Sequence, residues 1–176
     1  MKKGFTLIEL LVVISIISLG ASIVFAATRT ARDKAQDAKI KQSLVQIRTK
    51  AGLLYSGGCY HSGSGECPTV AGVTNLICPI STISNSSDAS FQSLFNNPEI
   101  QVLVAGAKIA SGGSTWGYCR HSSKGQNWAM IVISRTDNHK AWCVDSTGVL
   151  KQTDDGDGYS GTSDLVNDIP SVACGS

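Results

Sequence analysis

The hydrophobic pattern divides this chain of 176 residues into an apolar stretch, an amphipathic stretch and a mixed remainder. Residues 10–27 form an uncharged run of 18, preceded by Glu9 and, further back, by Lys2 and Lys3. At about 1.5 Å per residue, a helix of this length just reaches across a bilayer core of ~30 Å. The run therefore predicts a helix that needs lipid or other helices on all sides.

A second helical pattern continues from the first. Residues 28–55 contain no proline, and no glycine before Gly52. Their apolar positions recur at i, i+4, i+7, i+11 and i+14, which is one face of a helix; they are Ile40, Leu44, Ile47, Ala51 and Leu54. A stop signal follows at residues 56–58, Ser-Gly-Gly. We expect one helix from about Phe5 to Tyr55, with the stripe of its second half resting on a folded core.

The remainder is irregular at first and patterned later. Residues 91–95 predict a helical turn, and residues 98–110 fit a helix or a strand equally well. Beyond residue 114, short turns separate three strand patterns, over 115–120, 128–134 and 140–145. They predict an antiparallel meander whose apolar face covers the stripe, giving an α+β head.

Charge is distributed unevenly along the chain. Residues 29–50 hold seven basic and two acidic side chains, a balance of +5. From Gly57 onward there are six basic and ten acidic side chains, a balance of −4. The head therefore carries no basic patch, and its charge argues against nucleic-acid binding.

All six cysteines lie in the head, and they are Cys59, Cys67, Cys78, Cys119, Cys143 and Cys174. An even count without a C-x-x-C pair predicts disulfides formed in an oxidising compartment. The spacing matches no ordinary structural zinc site. Six cysteines allow 15 complete pairings, and spacing alone does not choose among them.

No enzyme motif accompanies the three histidines. His61, His121 and His139 each stand in a loop context without a nucleophile and a carboxylate nearby in sequence. The common hydrolase, zinc-protease and phosphate-binding motifs are also missing from the sequence. We therefore expect a protein without catalytic residues and without a required cofactor.

The segment Gly4-Phe5-Thr6-Leu7-Ile8-Glu9 resembles the processing site of type IV prepilins and type II secretion pseudopilins. The resemblance rests on a short basic leader, the Gly-Phe pair, a glutamate five residues after the glycine and a long apolar helix. It implies that a prepilin peptidase cuts between Gly4 and Phe5 and that Phe5 becomes the N-methylated first residue. The leader would stay on the cytoplasmic side.

The resemblance also gives Glu9 a role. A charge at membrane depth costs about 2.5–3.5 kcal/mol on insertion scales, so an acid there needs an explanation. In the family, this carboxylate pairs with the terminal amine of a neighbouring subunit, here the amine of Phe5. Two buried charges become tolerable when they are paired, and the pair sets the position of the incoming subunit. Family members often carry a proline in the apolar half, whereas this chain has only Gly20 as a soft point.

The implied organisation has four parts. A prepilin leader occupies residues 1–4, the membrane and assembly half of the helix 5–28, its amphipathic half 29–56, and the globular head 57–176. The family often closes a loop near its C-terminus with a disulfide, a position that Cys143 and Cys174 fit. For the other cysteines, Cys59–Cys67 and Cys78–Cys119 are our hypotheses.

Residues 153–164 partly match a calcium-binding loop. Asp155, Asp157 and Gly158 fall at loop positions 3, 5 and 6, and Asp164 falls at position 12. Thr153 replaces the first aspartate, and the last position lacks the longer glutamate. The pattern favours a solvated Asp/Gly turn, with weak calcium binding at Asp155, Asp157 and Asp164 as the alternative.

The sequence thus predicts a structural subunit of an extracellular type IV pilus-like filament serving adhesion, motility or uptake. The implied partners are further copies of itself, a prepilin peptidase, an inner-membrane assembly platform and, before assembly, membrane lipid. The precursor would cross the inner membrane once with its head outside. Two alternatives remain: a type II secretion pseudopilin forming a periplasmic piston, and a secreted disulfide-rich binding domain released by cleavage near Ala26.

Overall fold

A computed structural model of the chain describes residues 4–62, 67, 74–76, 94–113, 117–122, 124–159, 165, 168–169 and 172–174. Its helices are α1 (Leu7–Leu53), a short 3₁₀ helix (Leu94–Asn96) and α2 (Pro98–Ser111). Its strands are β1 (Tyr55–Ser56), β2 (Cys59–Tyr60), β3 (Thr74–Leu76), β4 (Gly117–His121), β5 (Trp128–Ile133), β6 (Lys140–Asp145) and β7 (Leu150–Asp154). The predicted α+β architecture is confirmed.

The long helix α1 matches its predicted extent within two residues at each end. It runs for 47 residues, about 70 Å, and it continues through Gly20. The predicted stripe is buried, with Ile40, Leu44, Ile47 and Ala51 at 0% exposure and Leu54 packed against the same core. The second half of α1 is therefore one wall of the head.

The ambiguous stretch at residues 98–110 is a helix. Asn97 caps α2 through its side chain, which accepts hydrogen bonds from the backbone of Glu99 and Ile100. Pro98 at the first helical position and left-handed Gly112 just after the last complete the boundary signals. The predicted turn at 91–95 begins outside the described residues, and its described end lies in the 3₁₀ helix.

The predicted meander is present and has two more strands than expected, β3 and β7. Within the described residues, β3 to β7 form one antiparallel sheet in sequence order. The three predicted strands are confirmed as β4, β5 and β6, although residues 115–116 of the first lie outside the described residues. The additional strand β7 is largely polar and only partly buried, which fits an edge strand and explains why no apolar alternation marked it.

The sheet is buried on both faces. One face, including Met130 and Val132, packs on α1 and α2. The other face, including Ala129 and Ile131, packs beneath Tyr159 and the C-terminal residues Leu165, Ile169 and Cys174. This explains why β5 reads as a continuous apolar run rather than an alternating strand.

Candidate processing and assembly site

The Gly4–Phe5 bond lies just before the helix, in exposed non-helical backbone. Thr6 is the N-cap of α1 with an extended conformation, φ −84° and ψ 148°. The side chain of Phe5 is 79% exposed, and a side-chain carbon at Gly4 would meet no atom within 4 Å. Exposed segments outside regular structure are the preferred sites of proteolysis, so the geometry suits cleavage at this bond.

Glu9 and Thr6 form a capping box. The carboxylate oxygen Oε2 of Glu9 accepts hydrogen bonds from the Thr6 backbone nitrogen at 2.9 Å and from the Thr6 hydroxyl at 2.7 Å. In return, the Glu9 nitrogen donates to the Thr6 hydroxyl at 3.4 Å. This arrangement satisfies donors at the start of the helix and places an anion at the positive end of its dipole. The acid in the apolar segment therefore has a role within its own chain.

The apolar half of α1 projects from the head. Its most apolar stretch is not buried within the head, and the helix is long and apolar enough to cross a membrane by length and composition. Its hydroxyl groups are satisfied internally: Ser15, Ser18 and Thr28 donate to the carbonyl four residues back at 2.7 Å, and Ser22 donates to the carbonyl of Leu19 at 2.8 Å. Such self-satisfied polar groups are compatible with a lipid or helix-packed environment.

A buried carboxylate, Asp37, joins α1 to the turn between β5 and β6. Its oxygens accept hydrogen bonds from the Arg135 nitrogen at 2.7 Å, the Ser134 hydroxyl at 2.8 Å and the Thr136 nitrogen at 3.4 Å. The Thr136 hydroxyl donates to the same carboxylate. Asp37 lies three residues before Ile40, on the flank of the predicted stripe. Because Asp37 is polar, the pattern of apolar residues did not indicate that it is buried.

Three basic residues of the stem also reach the head. Arg48 donates to the carbonyl of Gly148 at 2.8 Å, in the turn between β6 and β7. The ammonium of Lys41 lies 3.9 Å from the ring centre of Trp142, and Lys50 pairs with Glu99 of α2. Part of the basic charge of the stem is therefore used in contacts within the chain. In the sequence, only the positions of these three residues beside the apolar stripe could have suggested the contacts.

Two of the suggested disulfide pairings lie among the described residues. Cys59 is bonded to Cys67, and Cys143 to Cys174. Cys119 is also disulfide-bonded. Cys78 lies outside the described residues, so its suggested pairing with Cys119 stays a prediction. The Cys143–Cys174 bond joins β6 to the C-terminal cover, the residues Leu165, Ile169 and Cys174 that pack on one face of the sheet.

The candidate calcium loop begins at the end of β7. Asp155 and Asp157 follow that strand, while Thr153 is within it and bonds the Tyr159 hydroxyl at 2.7 Å. Burial and the neighbouring Asp168 carboxylate raise the pKa of Tyr159. Among the described residues, no three acids, histidines or cysteines come together as a metal site. Asp164 lies outside the described residues, so calcium binding there stays a prediction.

The three histidines lie in separate environments. The Nε2 atom of His61 is 2.8 Å from the Ser56 hydroxyl, and the Nδ1 atom of His139 is 3.1 Å from the Gly156 carbonyl. His121 is not in a loop as expected, because it is the last residue of β4 and is buried. Its Nδ1 atom is 2.9 Å from the Ser122 carbonyl, and burial lowers its pKa. The described geometry does not gather them into one site.

Residues 1–25 match the family model described as the prokaryotic N-terminal methylation motif. No curated protein and no solved structure matches the chain. The matched segment contains Gly4, Phe5 and Glu9 and leads into the apolar helix described above. The motif implies processing by a prepilin peptidase and a structural rather than enzymatic role. The chain therefore carries the N-terminal methylation motif that is characteristic of type IV pilins and pseudopilins.

Proposed function

We propose that this protein is the structural subunit of an extracellular type IV pilus-like filament. A prepilin peptidase cleaves the membrane-anchored precursor between Gly4 and Phe5 and methylates the new amino terminus. The observation that carries the proposal is the exposed Gly4–Phe5 bond directly before a capped apolar helix that is continuous with the wall of the head. Processing at this point leaves the whole helix available for assembly.

In the proposed assembly step, apolar helix faces leave lipid and pack against one another. The amine that cleavage creates on Phe5 of one subunit pairs with the Glu9 carboxylate of its neighbour. Both hydrogen bonds that Glu9 accepts within the described chain go to Oε2. A carboxylate has acceptor capacity for further donors, so the capping box and the pair between subunits are compatible.

The secreted-domain alternative requires cleavage near Ala26. That position lies in the middle of α1, which is helical from Leu7 to Leu53, whereas peptidases cut extended backbone. Sequencing the amino terminus of the mature protein separates the two hypotheses. The filament hypothesis predicts N-methylated Phe5 as the first residue, and a start near Thr28 would overturn it.

The type II secretion pseudopilin is the second candidate within the same class. The bonded cysteines Cys59, Cys67, Cys119, Cys143 and Cys174 favour a fibre that persists outside the cell. Calcium binding at Asp155, Asp157 and Asp164 would favour the pseudopilin instead. Surface filaments that can be sheared from cells and contain this chain support the pilus; a chain confined to the cell envelope, needed for protein secretion, supports the pseudopilin.

A further inference from the structure

Two adjoining hollows lie where the head meets the apolar half of α1. The upper one, of about 340 Å³, lies between α1, the end of α2 and the turn after β5, and its lining includes Arg32, Asp33, Ile109, Gly112 and Arg135. The lower one is lined by Phe25, Thr28, Arg29 and Arg32. Because Arg32 borders both, they form one continuous surface running from the head towards the apolar segment.

At the upper end of this surface, the charge of Arg135 is already paired with that of Asp33. The Nε atom of Arg135 lies 3.3 Å from an Asp33 carboxylate oxygen. The same guanidinium lies against Gly112, at the C-terminal end of α2, where the helix dipole favours a cation and disfavours an anion. The upper end is therefore a poor place for an anionic ligand.

The lower end carries unmatched positive charge. Among the described residues, neither Arg29 nor Arg32 has a carboxylate within 4 Å. The two are three positions apart, so they share a face of α1, and like charges at such spacing destabilise a helix. An anion bound between them would remove that repulsion. Planar guanidinium groups suit the oxygens of a phosphate in particular.

The position of the two arginines beside the apolar segment indicates which class of phosphate compound would bind there. The apolar run ends at Ala27, and just below the arginines Phe25 exposes 77% of its surface. A molecule that fits both parts has an anionic phosphate head and an apolar tail. We propose that Arg29 and Arg32 bind the phosphate of an anionic phospholipid in the outer leaflet, with Phe25 packed on its acyl chain. The inference rests on the proposed function, because a membrane-spanning precursor places these residues at the lipid–water boundary.

The test uses the full-length precursor in nonionic detergent, titrated with phosphatidylglycerol or phosphatidylcholine of identical acyl chains and followed by native mass spectrometry. The wild type should prefer phosphatidylglycerol. The R29Q/R32Q variant should bind it roughly thirty-fold more weakly, since basic residues near an anionic lipid surface contribute about 1 kcal/mol each. R29K/R32K should lose less affinity than R29Q/R32Q, because it keeps the charge and removes only the planar guanidinium groups.

K34Q/K39Q is the matched control, because it removes the same charge from exposed positions outside both hollows. Equal binding of the two lipids by the wild type, or equal loss in both glutamine variants, overturns the proposal. So does displacement of phosphatidylglycerol by millimolar inorganic phosphate but not by sodium chloride of equal ionic strength, since the site then takes free phosphate.

Each sample is also treated with prepilin peptidase and its mass measured. Normal cleavage after Gly4 without lipid preference counts against the lipid site alone. Failure of cleavage counts against the proposed function, whatever the lipid result.

Discussion

The carboxylate of Asp37, in α1, accepts a hydrogen bond of 2.7 Å from the backbone nitrogen of Arg135, almost one hundred residues later in the chain. Asp37 is 8% exposed and accepts three further hydrogen bonds from Ser134 and Thr136. The stem helix thereby holds the β5–β6 turn in a fixed position at the edge of the head.

We expect Asp37→Ala to lower the free energy of unfolding by about 2–4 kcal/mol, because it leaves buried donors without partners. Urea unfolding of the full-length protein in detergent micelles measures the loss. Asp33→Ala is the control, since Asp33 makes only a partly exposed ion pair with Arg135 and should cost less than ~1 kcal/mol. Equal losses in the two variants would show that the Asp37 contacts are unimportant.

Removing the C-terminal disulfide should loosen one face of the sheet. Cys143 and Cys174 close a loop of sequence separation 31, and the chain-entropy model gives a stabilisation of about 3.7 kcal/mol. The double alanine variant should also speed hydrogen exchange in β5 and β6, which the C-terminal residues cover. Alanines at Cys59 and Cys67, whose separation is 8, should cost less, about 2.5 kcal/mol, and leave exchange in β5 unchanged.

Two glycines, one inside α2 and one directly after it, should respond oppositely to alanine. Gly112 has φ +112°, and a side-chain carbon there would collide with the Arg135 guanidinium. Gly112→Ala should therefore destabilise by about 1–3 kcal/mol. Gly106 is inside α2, where an added carbon meets only the Ser43 hydroxyl at 3.8 Å, so Gly106→Ala should stabilise by ~0.5–1 kcal/mol. Thermal unfolding distinguishes these outcomes, and shifts of the same sign would contradict the account.

Mild acid should destabilise the head through His121. Burial lowers its pKa below the usual 6.5, so the unfolded chain binds a proton that the folded chain excludes. Stability is complete above about pH 6.5 and declines as the pH falls below that value. Unfolding measured from about pH 7 to 5 should show a shallower decline for His121→Gln than for the wild type. An equal decline in His121→Gln and in the wild type would contradict this prediction.

Assembly of the proposed filament should require the negative charge of Glu9. Glu9→Gln removes the charge that would pair with the Phe5 amine, so filament incorporation should fall at least tenfold, while the membrane level of the subunit stays unchanged. Thr6→Ala weakens only the capping box and should reduce incorporation less. Quantitative immunoblotting of sheared filaments and membranes provides both readings. Normal incorporation of Glu9→Gln would remove the basis of the assembly step.

Sequence periodicity correctly predicted the elements whose apolar residues recur at a regular spacing. The stripe from Ile40 to Leu54 and the strand bounds of β6 followed from spacing alone. Residues 98–110 remained ambiguous because their apolar content suits either element. The deciding signals were the boundary residues Asn97, Pro98 and Gly112, which act through capping rather than periodicity.

The remaining features depend on contacts between distant segments. β7 is polar because it lies at a sheet edge, and the C-terminal cover is recognisable only from the apolar residues on both faces of β5. The roles of Asp37 and Arg48 follow only from their partners in turns that are distant in the chain. In contrast, the processing segment is local, so Gly4, Phe5 and Glu9 could be selected from sequence.

The unbroken course of α1 has a mechanical consequence. Its apolar half and the wall of the head belong to one rod, with Asp37 near the lower end of the shared surface and Lys50 near the upper end. Tension applied along the rod loads the contacts between these points simultaneously, in shear, rather than peeling them apart one after another. A fibre built from such subunits should stretch by sliding between rods before any individual head tears open.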